Sequence, residues 1–102
     1  MNPVTITLTH RQATFVAQWI ADGIDGYIFH DIPRENSPVS ILTAWRKESV
    51  LWKKDPFRGC GNDPRTRKRA REQEAVRLHV DLNARILTRV IAALALAEGG
   101  AA

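Results

Sequence analysis

Apolar residues recur along this chain with two different periods, and each period predicts an element. Val4, Ile6 and Leu8 alternate with Thr5 and Thr7, the two-residue repeat of a short strand with one buried face. Thr9 then stands as an N-cap, with Gln12 three residues later to complete a capping box. Phe15, Val16, Trp19 and Ile20 follow at helical spacing and predict the core-facing stripe of a first helix, which Gly23 is placed to end. Gly26 to His30 reads as a second short strand, held to a few residues by Asp25-Gly26 before it and Pro33 after it; paired with the first, it makes a two-stranded ribbon. Ser37 and Pro38 cap and open a second helix to about Lys54, with Ile41, Leu42, Trp45, Ser49 and Trp52 on one face. Asp55-Pro56 stops it, because a residue before proline resists helical geometry.

The stretch from Asp63 to Glu98 predicts one long helix. Asn62 or Asp63 can cap it, Pro64 suits its first position, and Gly99-Gly100 end it. At about 100° per residue, Val76, Val80, Leu87, Val90, Ile91 and Leu94 share an arc, with Asn83 among them. A helix of that length spans roughly 50 Å, more than a small domain covers, so Val76, Val80, Asn83, Leu87, Val90 and Leu94 are expected at a homodimer seam, where a buried Asn fixes register. A competing parse makes 76–82 a strand, from the alternation of Val76, Leu78, Val80 and Leu82, with Asn83 capping a shorter helix. The single helix is preferred because nothing between Arg65 and Val76 breaks it. The expected fold is thus α+β and mostly helical: a short N-terminal strand or ribbon, two medium helices and a long C-terminal helix, in one domain over 1–102, with 55–62 as a hinge.

Charge changes this picture. The net charge is +4, but Arg46 to Arg71 holds ten Lys or Arg against three acidic residues, for +7, while the remainder sums to −3. Such asymmetry points one surface at a polyanion or an acidic protein. In Arg65-Thr66-Arg67-Lys68-Arg69-Ala70-Arg71 the charges fall all around a helix, leaving no face to pack on a core, so this section is expected to project. Lys53, Lys54, Arg58, Arg65, Arg67, Lys68, Arg69 and Arg71 are the candidate contacts to phosphates, of DNA ahead of RNA, or to an acidic protein surface.

Other chemistry is thin. His10, His30 and His79 lie in separate elements without ligand spacing, so no metal is expected. His30-Asp31 lacks a serine or second base and reads as turn chemistry. No nucleophile, paired acids, phosphate loop or cofactor motif can be assembled, so neither catalysis nor a cofactor is expected. Cys60 has no partner for a disulfide, and no apolar run is long enough for a signal peptide or membrane span, which predicts a reducing, cytoplasmic setting. Trp45 and Trp52, seven residues apart, are two core anchors, or one core residue and one exposed partner anchor.

On Thr5, Thr7, the helix from Thr9 and the cap at Ser37, the first half of the chain loosely resembles ribbon-helix-helix DNA-binding proteins. That resemblance implies a strand shared across a dimer, with Thr5 and Thr7 reading the major groove. The sequence departs from the family in the thirteen residues separating its two helices and in a strand without basic residues, so no membership is assigned. The primary expectation is a small, basic, non-enzymatic nucleic-acid-binding protein acting through 53–71. The alternative is a protein inhibitor or adaptor of the kind that phages and other mobile elements encode, for example of the anti-CRISPR kind, bound to a host protein complex.

Overall fold

A computed structural model describes residues 3–29, 31–54 and 64–100, with side chains described except at 64–70 and 99–100. Three helices carry the fold: α1 (His10–Asp25), α2 (Pro38–Lys54) and α3 (Pro64–Gly100). The fold is all-α, which corrects the α+β expectation. Neither predicted strand forms among the described residues. A strand needs a neighbour to take up its backbone groups, and the intended neighbour is engaged elsewhere. The Tyr27 and Ile28 N–H groups bond back to the carbonyls of Ile24 and Asp25, and the Phe29 N–H donates to the Glu48 carboxylate at 3.0 Å. Val4 and Ile6 are left exposed, so the ribbon and the Thr5 and Thr7 reading positions of a ribbon-helix-helix protein are absent.

The helix starts follow local chemistry. The Thr9 hydroxyl accepts from the Gln12 N–H while the Gln12 side chain accepts from the Thr9 N–H, the reciprocal box expected at α1. The Ser37 hydroxyl likewise accepts from the Ser40 N–H at the start of α2. Gly23 does not end α1; the helix runs on to Asp25, with Gly26 as its C-cap. Asp31 has φ 46°, a left-handed turn position that Asp tolerates. α3 is continuous through 76–82, so the strand reading of that segment fails.

The core lies where the three helices meet. α1 contributes Ala17, Ala21 and Ile24, α2 contributes Ile41, Leu42, Ala44 and Trp45, and α3 contributes Val80, Ala84 and Leu87; Ile28, beyond α1, closes one end. The α1 stripe is therefore rotated from the one its aromatic residues predict: Phe15 and Trp19 are 71% and 70% exposed. Both face away from the side that carries Ala17 and Ala21, which is the side small enough to lie against two neighbours. α3 runs antiparallel to both other helices. His10, at the start of α1, meets Glu98 near the end of α3 at 3.3 Å; along α2, Leu42 lines a groove with Thr88 and Arg89 while Ser49, two turns on, bonds Asp81, two turns back. The molecule measures 56 × 37 × 18 Å, its long axis matching the roughly 55 Å expected of a helix of 37 residues.

Candidate functional site

The predicted dimer seam is largely covered within the chain. Val80 and Leu87 are buried against α1 and α2, Val76, Val90 and Leu94 are partly buried against the same core, and Asn83 is half-buried. That coverage removes the argument for a second chain at this face. The bundle covers α3 because α2 lies along its middle and α1 along its C-terminal half.

The basic residues expected at the site divide into three groups. Lys53 and Lys54 are exposed at the C-terminal end of α2, where cations complement the helix dipole. The Glu74 carboxyl is held ionised chiefly by its hydrogen bond to Arg77, and the charge of Lys53 adds to this in the least degree, the end of α2 facing the N-terminal part of α3. Arg71 is exposed there, about one turn before Glu74. Arg65, Arg67, Lys68 and Arg69 occupy the first two turns of α3, their side chains outside the described residues. Arg58 and the 55–62 hinge are likewise outside the described residues, as are Cys60 and His30.

A polar network that sequence reasoning missed lies between α2 and α3. Oδ1 of Asp81 accepts from the Trp45 indole N–H at 2.8 Å and from the Ser49 hydroxyl at 2.9 Å, and Oδ2 accepts from Arg77 at 2.8 Å. Arg77, buried to 7% exposure, also donates to both oxygens of Glu74. That hydrogen bond, opposed by desolvation and aided by the guanidinium charge, holds the Glu74 carboxyl below the ordinary glutamate value and raises Arg77 further above its own. The i,i+3 and i,i+4 spacing of Glu74, Arg77 and Asp81 was readable as a helix-surface ladder, but nothing local says that it turns inward onto Trp45.

Glu48 is a second buried acid, 1% exposed. It accepts from the Phe29 N–H and from the Trp52 indole at 3.1 Å. Its signal was its place in the register of Ile41, Trp45 and Trp52, at a core position of α2. Trp52 stacks on Phe29 with centroids 5.9 Å apart and meets Trp45 edge-on at 5.8 Å, so both tryptophans serve as packing anchors. Together these contacts fasten the segment after α1 onto α2.

Among the described residues no three His, Cys, Asp or Glu side chains gather as metal ligands, and no helix is long and apolar enough to cross a membrane. No protein-family model matches the chain, and neither the curated proteins nor the solved structures hold a match to it.

Proposed function

We propose that the protein is a non-enzymatic nucleic-acid-binding factor, cytoplasmic, that grips the phosphate backbone, of DNA ahead of RNA, with the basic end of its longest helix. The observation that supports this is the continuity of α3. The Arg65–Arg71 run lies on the same unbroken helix as the core residues Val80, Ala84 and Leu87. A stiff cationic extension anchored in a folded bundle positions charge along a polyanion without paying much ordering entropy on binding. Lys53 and Lys54 add to the same end of the molecule. The outer face of α3, where Leu78, Leu82 and Ile86 recur at four-residue spacing and are exposed, offers apolar surface to a homodimer.

The test is salt-dependent binding. Affinity for duplex or single-stranded oligonucleotides should fall with salt, log K against log salt sloping by roughly 0.7–0.9 per phosphate contacted. Replacing Lys68, Arg69 and Arg71 by Ala should reduce that slope by about two to three and leave the melting temperature within a few degrees. Absence of binding to any nucleic acid at low salt overturns the reading.

A second reading, a protein inhibitor or adaptor of the phage or mobile-element type, is favoured by a different observation. Phe15 and Trp19 stand one turn apart on the outer face of α1, and Leu8 and Phe15 border a shallow apolar depression beside Val16. Monomeric proteins seldom leave such aromatic patches uncovered without a partner. Survival of a host complex through nuclease treatment, and its loss on Phe15→Ser with Trp19→Ser, would select this reading over the first.

A further inference from the structure

A groove between α2 and α3 is used by neither reading. It is open, about 560 Å³, with an apolar floor of Leu42, Trp45 and Ala84 and a rim bearing Arg46, Arg85 and Arg89. All three arginines are exposed, and none makes an ion pair or hydrogen bond among the described residues. The one acid in the groove, Asp81, does not neutralise them. Its oxygens are taken by Trp45, Ser49 and Arg77, and since Arg77 also pairs with Glu74, the trio of Asp81, Arg77 and Glu74 carries one net negative charge, too little to offset three guanidinium groups. The groove therefore presents a net positive rim over a floor with no buried polar side-chain atom left unsatisfied.

These features specify the ligand. A polar small molecule or a base edge would need free hydrogen-bonding groups, and the polar residues of the lining are already engaged: Ser49 and Asp81 with each other, Asp81 also with Trp45 and Arg77, and Thr88 with the Ala84 carbonyl. A bare phosphate backbone would leave that apolar surface wet. A chain that places an apolar side chain between carboxylates satisfies both parts: the apolar group lies along the narrow strip where Leu42 and Ala84 reach the surface, and the carboxylates reach guanidinium forks suited to bidentate pairing. We propose that the α2–α3 groove is a docking site for an acidic, amphipathic peptide segment of a partner protein, held by Arg46, Arg85 and Arg89.

The test uses the full chain against a displayed random library of 12-residue peptides, followed by fluorescence anisotropy with the most enriched peptide in synthetic form. The enriched pool should combine Asp or Glu with Leu, Phe or Trp. Binding should weaken at least about tenfold in Arg85→Glu with Arg89→Glu, equivalent to about 1.4 kcal/mol. It should weaken also in Thr88→Phe, which fills the groove without altering its charge. Circular dichroism and melting of both variants separate lost binding from lost fold; because the arginines are exposed and unpaired, their replacement should leave helicity unchanged. Failure to enrich any peptide, enrichment without acidic residues, or binding indifferent to both well-folded variants overturns the proposal. So does loss of oligonucleotide binding on Arg85→Glu with Arg89→Glu, which would make the groove a phosphate site, or loss of self-association, which would make it a contact between copies.

Discussion

Replacing Asp81 by Ala tests how far the α2–α3 packing depends on one carboxylate. Trp45 is 1% exposed, and its indole N–H has Asp81 as its acceptor, so the substitution strands a buried donor at a cost of about 1–3 kcal/mol. Arg77 loses one of its two carboxylates; the Asp81 side chain is 25% exposed, so this ion pair is partly screened and contributes about 1 kcal/mol. Ser49 is half-buried and can turn its hydroxyl toward water at small cost. The total is about 3 kcal/mol, a large part of the roughly 5–15 kcal/mol that holds a small domain together. At this chain length it corresponds to a fall in Tm of roughly 12–24 °C. Urea unfolding followed by far-ultraviolet circular dichroism measures it without relying on tryptophan emission. Trp45→Phe removes the donor and its need together, so the double variant should be less destabilised than the sum of the singles by roughly 1–2 kcal/mol. An Asp81→Ala protein within about 0.5 kcal/mol of the parent, or strict additivity in the double variant, would refute the account.

The rotated face of α1 makes a paired prediction: Ile24→Ala, at a fully buried position, should cost about 2–5 kcal/mol, whereas Trp19→Ala on the exposed face should stay within about 0.5 kcal/mol. Denaturant midpoints check both, and the reverse order would restore the aromatic stripe as the core. The Glu74 carboxyl, held down by the Arg77 hydrogen bond, stays ionised further into acid in the folded chain than in the unfolded one. Its stabilising contribution is therefore complete above the unfolded glutamate value near about 4.3 and is lost as pH falls through the lower folded value. Glu74→Gln should flatten the acid limb of the stability profile, read as urea midpoints from about pH 6 downward, and superimposable acid limbs would count against the pairing.

Helix starts were legible because they are decided within four residues. Thr9 with Gln12, and Ser37 with Pro38, satisfy orphan N–H groups whatever the rest of the chain does. The single long α3 was legible for a related reason: no residue between Pro64 and Glu98 interrupts helical hydrogen bonding. The strand at Val4–Leu8 misled because alternation specifies only a face, while a strand also needs a ladder partner, and helix ends and Glu48 had claimed the backbone of the candidate. The dimer seam rested on a length argument that the fold does not require. A helix too long for one neighbour can still be covered by two, arranged along different parts of it.

The basic end and its electrostatic asymmetry belong to the sequence alone, since net charge over a segment does not depend on how the chain folds. Where each helix begins was likewise local. Only the tertiary structure decided which face of each helix is the inside. α1 turns its alanines inward and its largest aromatics outward, because three helices in mutual contact admit small side chains where two would have left room for Phe15 and Trp19. The same packing set Arg46 of α2 opposite Arg85 and Arg89 of α3 and turned Asp81 onto Trp45. Residues more than thirty positions apart acquire a shared environment only when antiparallel helices bring them level, and no spacing rule along one chain encodes that meeting.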